Sequence, residues 1–131
     1  MAIYYNGHLQ ATKGGGGSSG GGGGIDYSTA EQNTGLKWID GKPIYQKTFI
    51  ITPNSYADIS TLNIDSVVSA DGMVKLHGNH WNHLNIYAGS NYNAQFEIAV
   101  PDGRITTTVG SNWTADDIYI TLLYTKTTDT V

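Results

Sequence analysis

Ala94-Gln95-Phe96-Glu97-Ile98-Ala99-Val100-Pro101-Asp102-Gly103-Arg104-Ile105-Thr106-Thr107-Thr108-Val109 decides the fold class. Ala94, Phe96, Ile98 and Val100 take every second position, with Gln95 and Glu97 between them. After Pro101-Asp102-Gly103 the same rhythm returns in Ile105, Thr107 and Val109. Side chains of a strand point alternately to opposite faces, so a period of two marks a strand with one buried face. Glycine supplies the positive φ that a tight turn requires, and aspartate tolerates it. The stretch therefore predicts two antiparallel strands joined by a tight turn.

The same rhythm extends outward. Ile118, Ile120, Leu122 and Tyr124 alternate near the C-terminal end, and Tyr45, Phe49 and Ile51 form a face interrupted by Lys47. Asp40-Gly41 and Asp71-Gly72 predict two further hairpin turns. Threonines at 106, 107, 108, 121 and 125 suit a pleated, half-wet surface. No segment carries sustained helical periodicity, although Ser28–Gly35 could form one turn. Strands are expected at 73–77 and 84–88, with a polar loop between them. Short alternating runs separated by turn residues predict a small antiparallel β-sandwich, jelly-roll-like, of about six to eight strands.

Composition narrows the function classes. Among 131 residues there are 7 Lys+Arg against 11 Asp+Glu, a net charge of −4, so no basic footprint for nucleic acid or an anionic membrane is expected. The chain has no cysteine, which removes disulfides, thiolate zinc sites and cysteine nucleophiles. No apolar run approaches the roughly 18 residues of a membrane span. Met1-Ala2-Ile3-Tyr4-Tyr5-Asn6-Gly7 lacks the basic-then-apolar order of a secretory signal, so synthesis in a cytoplasm is expected.

Three segments follow from composition: a polar-aromatic leader, residues 1–13; a Gly/Ser tract, residues 14–24, reading GGGGSSGGGGG; and a globular part, residues 25–131. The tract reads as a flexible linker of roughly 18 Å root-mean-square reach, or as a segment docked in an assembly, where glycine permits close backbone approach. The second reading makes Ile3, Tyr4 and Tyr5 an anchor that adds as an extended strand to another protein's sheet edge.

Candidate chemistry gathers between residues 77 and 93. His77, His80 and His83 form H-x-x-H-x-x-H, a set of imidazoles that could bind zinc, nickel or iron. A single continuous strand would alternate their faces, so a loop or a threefold axis is needed to collect them. Trp81, Tyr87 and Tyr92 could stack on sugar rings, with Asn85 among the hydrogen-bonding neighbours, in a composition suited to adaptable polar contacts. Trp38 and Trp113 read as core or interface anchors. Enzyme templates are missing: there is no G-x-S-x-G, no phosphate loop, no H-E-x-x-H and no paired-carboxylate motif. Asp116-Asp117 reads as the solvated start of a strand. A non-enzymatic role without a cofactor is expected.

Two stretches carry a resemblance. Tyr27-Ser28-Thr29-Ala30-Glu31-Gln32-Asn33-Thr34-Gly35-Leu36-Lys37-Trp38-Ile39-Asp40-Gly41-Lys42-Pro43-Ile44-Tyr45-Gln46-Lys47-Thr48-Phe49 resembles the opening of a small C-terminal β domain of bacteriophage and prophage fibre-type virion proteins: head fibres, tail fibres and minor structural proteins. Gly110-Ser111-Asn112-Trp113 and Leu122-Leu123-Tyr124-Thr125-Lys126-Thr127-Thr128-Asp129 are similar to its closing segment. The resemblance implies a virion appendage that forms a homotrimer and contacts capsid or tail proteins, with a host-surface glycan as a further partner. Residues 54–93 match weakly, so no family role passes to the histidines. A leader followed only by a Gly tract suggests a short decoration close to the particle surface.

Overall fold

The computed structural model describes residues 26–131, without the His77 side chain, and the backbone of residues 4–5 and 8–9. The anchor residue Ile3, the side chains of Tyr4 and Tyr5 and the 14–24 tract lie outside the described residues. Tyr4–Tyr5 (β1) pairs antiparallel with His8–Leu9 (β2).

The body is a β-sandwich of two antiparallel sheets. One holds five strands in the order β3 (Gln32–Lys37), β4 (Pro43–Ile51), β11 (Ala115–Lys126), β6 (Ile64–Leu76) and β7 (His80–His83). The other holds four, in the order β5 (Tyr56–Asp58), β10 (Arg104–Val109), β9 (Tyr92–Ala99) and β8 (Ile86–Gly89). The nine strands of the two body sheets exceed the expected six to eight. The strand expected at 84–88 is β8, whereas the polar loop expected before it holds β7. Asn82 disfavours a strand, but ladder pairing of His80–His83 against Met73–Leu76 overrides that preference.

The alternating runs build the core. Ile105, Val109, Ile118, Ile120, Leu122 and Tyr124 are buried with Phe49, Ile51, Val74 and Leu76, and Phe96, Ile98 and Val100 pack against them. The strand β9 turns into β10 at Asp102-Gly103, where Gly103 has φ +68°, and β3 turns into β4 at Asp40-Gly41. Asp71-Gly72 is not a turn. It lies inside β6, with Asp71 opposite Thr121 and Gly72 opposite Ile120. Gly72 faces the other sheet, and a Cβ there would stand 3.0 Å from Leu84 Cδ1 and 3.3 Å from Phe96 Cε1. The missing side chain makes room for these neighbours. Residues 28–35 hold no helical turn; Gln32 and Asn33 pair with Gln46 and Tyr45 instead. Trp38 packs with Leu36 and Val68 over the buried pair Ile44 and Leu123, and Trp113 packs on the main core.

A polar cluster ties the two ends of the body together. The completely buried Tyr124 donates its hydroxyl to Glu31, and Lys126 Nζ lies 2.7 Å from the same carboxylate. Tyr45 stacks on Tyr124 at 6.2 Å and donates to Asp129 Oδ2 at 2.7 Å. Burial, then the Glu31 carboxylate, pushes the Tyr124 phenol well above its ordinary 10.0. The Asp129 bond, then burial, moves Tyr45 the same way. Above about pH 10 the unfolded phenols ionise while these two keep their protons, so the unfolded chain binds fewer protons and stability falls as pH rises. Tyr124 alone contributes a slope of about 1.4 kcal/mol per pH unit there. Urea midpoints between about pH 9 and pH 11 are expected to fall less steeply for Tyr124→Phe than for the parent. Equal slopes would remove Tyr124 from the alkaline transition.

Candidate functional site

The outer face of the five-stranded sheet follows from the same alternation. Where Phe49, Ile118, Ile120, Val74 and Leu76 point inward, their neighbours point out. One ladder row reads Ile50, Tyr119, Met73, His83; the next reads Thr48, Thr121, Asp71. Thr48 and Thr121 share a hydrogen bond of 2.9 Å across the row. Trp81, opposite Lys75, leans its ring to 6.3 Å from Tyr119, while its indole N–H donates to Asn79 Oδ1. The chain before β3 runs along this face, because Ser28 carbonyl accepts from Thr48 N–H at 2.8 Å and Asp26 carbonyl accepts from Gln46 Nε2 at 3.1 Å.

One end of this face is covered by Trp38 and Leu36; among the described residues, none covers the other. There, Tyr27, Thr29, Thr48, Ile50, Asp71, Met73, Tyr119 and Thr121 line a shallow groove of about 490 Å³. Tyr27 is 60% exposed, Ile50 52%, Trp81 50% and Tyr119 41%. Large apolar side chains gathered on one face mark an interaction surface more often than singly scattered ones do.

The outer face of the four-stranded sheet differs in chemistry. Asn85, Gln95, Glu97, Thr106 and Thr108, with the Phe96 backbone, surround a polar depression of about 390 Å³. Gln95 stands opposite Thr108 and Glu97 opposite Thr106. None of these four side chains hydrogen-bonds another described residue. Tyr56 lies on the same face beneath the Arg104 guanidinium, 4.4 Å from its ring centre. Asp58 accepts from the Ser60 hydroxyl and backbone N–H, which hold its carboxyl below the ordinary 3.8.

The four residues expected to bind a receptor do not converge. Between Leu84 and Ile86 the chain leaves one sheet for the other. Trp81 is therefore on the five-stranded outer face, and Tyr87, 67% exposed, is on the four-stranded one. Asn85 Oδ1 accepts from Phe96 N–H at 2.6 Å, which occupies it in closing β9 beyond the end of β8. Tyr92 packs edge-on against Trp113 at 6.2 Å. His80 and His83 are also apart, and the third histidine of the expected set, His77, has its side chain outside the described residues. His80 stands opposite Leu76 and His83 opposite Met73, on opposite faces of β7, and His83 Nε2 lies 3.6 Å from Asp71 Oδ1. Among the described residues no three His, Asp or Glu side chains gather as a metal site would require. No helix among them is long and apolar enough to cross a membrane.

Comparison with protein-family models, curated proteins and solved structures finds no match to this chain.

The outer apolar groove was not anticipated, although a signal for it was present. Phe49-Ile50-Ile51 and Ile118-Tyr119-Ile120 are runs of three large apolar residues. In a strand such a run loads both faces. The Glu31–Tyr124–Lys126 cluster had no signal, because it joins residues more than ninety positions apart.

Proposed function

We propose that the protein is a bacteriophage structural component: a short surface appendage, as a head fibre, capsid decoration or tail-fibre adaptor, which residues 1–13 fasten to another virion protein. The body is displayed outward and has no enzymatic role. One observation carries the reading. The two stretches that resemble virion fibre domains, far apart in sequence, are neighbours in one sheet, as β3, β4 and β11. Tyr45 of the first stands opposite Tyr124 of the second, and Glu31 of the first holds Tyr124 and Lys126 of the second. The resembling residues 27–49 and 122–129 thus fall on one physical unit, while residues 110–113 lie in the turn before β11.

Removing residues 1–24 takes no residue from the described core. In a host that assembles particles, the shortened chain is expected to stay folded and soluble and to be nearly absent from purified particles. Normal occupancy by the shortened chain would overturn the anchoring role.

A second reading adds glycan binding on the four-stranded face. Supporting it are the exposed Tyr87 and the hydroxyl, amide and carboxylate groups of Thr106, Thr108, Gln95 and Glu97, which have no hydrogen-bond partner among the described residues. Such a surface offers a ring to stack on and donors and acceptors beside it. On a glycan array, Tyr87→Ala is expected to abolish binding while Trp81→Ala, on the opposite sheet, retains it. Equal binding by all three proteins, or none by any, would remove this reading.

A further inference from the structure

We propose that in the free protein the open groove over Ile50, Met73 and Tyr119 is occupied by the leader of the same chain, residues 1–13. This contact goes beyond the proposed virion role, since it concerns the protein before it meets a particle.

The place where the leader is tethered comes first. The body's chain begins on this face: Tyr27 and Thr29 line the groove itself, and residues 26–28 are fixed to β4 by the Ser28 and Asp26 carbonyls. Eleven Gly/Ser residues reach roughly 18 Å. From β4 across β11 to β6 is two strand spacings, about 10 Å. A segment tethered so close acts at an effective concentration in the millimolar range, so weak apolar contact suffices to seat it.

Size and charge agree with that occupant. Tyr27, Ile50 and Tyr119 of the groove, with Trp81 beside Tyr119, are about half exposed and present on the order of 400 Å². A second folded copy needs about 800 Å² from each partner. The groove is therefore small for another sandwich and suitable for a peptide. The leader offers Ile3, Tyr4, Tyr5 and Leu9 as apolar contacts. Its pairing of Tyr4–Tyr5 with His8–Leu9 is a two-stranded hairpin, which in isolation is marginal in water and gains from a surface to lie on. Residues 1–24 hold Lys13 and no acid, whereas residues 25–131 hold the other 6 Lys+Arg and all 11 Asp+Glu, a net −5. The groove contributes Asp71 to that excess.

The cysteine-free sequence allows a clean test. A single thiol introduced as Gln10→Cys in the full chain carries a nitroxide label, and amide signals of isotope-labelled protein are recorded when dilute. The expected result is several-fold signal loss at residues 48–51, 71–73 and 119–121, with β5 and β8 spared. It should vanish in the leader variant Ile3→Ser, Tyr4→Ser, Tyr5→Ser, which leaves the body untouched, and in Ile50→Asp. Loss that survives in the triple variant would reflect tethering alone and overturn the proposal, as would no loss in the parent. A mixture of spin-labelled and isotope-labelled molecules separates the remaining case: loss that appears only between molecules, with a doubled or tripled mass, assigns the groove to a second copy and overturns it too. Particle occupancy is not part of this readout, so the contact and the virion role fail separately.

Discussion

Gly110→Ala is expected to cost about 3 kcal/mol, near the upper end for inserting one methyl group into a packed site. The reason is the kind of atom it would meet. A Cβ at Gly110 would lie 2.5 Å from the Asn91 carbonyl carbon, 2.6 Å from its oxygen and 2.9 Å from Tyr92 N. These are backbone atoms, and they are held from both sides. Gly110 N–H donates to Asn93 carbonyl at 2.8 Å, and Asn112 N–H donates to Asn91 carbonyl at 3.0 Å. Trp113 N–H closes the turn onto Gly110 carbonyl at 3.0 Å, and its ring rests edge-on against Tyr92. The methyl group therefore separates the turn at 110–113 from the start of β9, or it breaks these bonds. A side-chain tip would rotate away, as Val131 could from a Cβ at Gly41. The measurement is the urea midpoint, which should fall by about 1–2 M, with a change in Trp113 fluorescence. A loss below about 1 kcal/mol would mean that residues 91–93 slide aside at little cost.

Gly110 also shows what the sequence made readable. The Gly-Ser-Asn-Trp stretch carries part of a resemblance, but nothing in its letters says that another backbone passes within 2.5 Å of where a Gly110 Cβ would stand. The strands β9, β10 and β11 were legible because each carries a row of three or more inward residues at every second position: 94–100, 105–109 and 118–124. Asp71-Gly72 was misread for the opposite reason. An Asp-Gly pair has the same letters whether it turns the chain or, as here, sits in a ladder opposite Thr121 and Ile120. What distinguishes the cases is whether another sheet needs the space that a side chain would fill, and Leu84 and Phe96 come from elsewhere in the chain. Local composition misled at His80–His83 as well, where four ladder pairs impose a strand on residues that favour loops. The candidate site suffered most. Trp81, Asn85 and Tyr87 look adjacent in sequence, yet the chain changes sheets between the first and the last, so nearness in sequence becomes opposite sides of the molecule.

The two faces of the five-stranded sheet should also separate in energy. Ile120 and Ile50 are both isoleucines on central strands, and truncation to alanine costs both the same β preference. Their surroundings differ. Ile120 is fully buried, opposite Phe49 and Gly72, within the core shared by both sheets. Ile50 is 52% exposed, opposite Tyr119 on the outer face. Ile120→Ala removes buried carbon and leaves a cavity between packed sheets, so a loss of about 3.5 kcal/mol is expected. Against a typical total of about 5–15 kcal/mol, that brings the fold near its limit. Ile50→Ala gives up only the covered half of its side chain and should cost less than about 1 kcal/mol if the groove is bare. If the leader lies there, the full chain should lose more than that. The excess should disappear when the same substitution is made alongside Ile3→Ser, Tyr4→Ser and Tyr5→Ser, because a contact already absent cannot be lost twice. Comparable losses at Ile120 and Ile50 in both backgrounds would contradict the layering, since the outer face would then be as buried as the core.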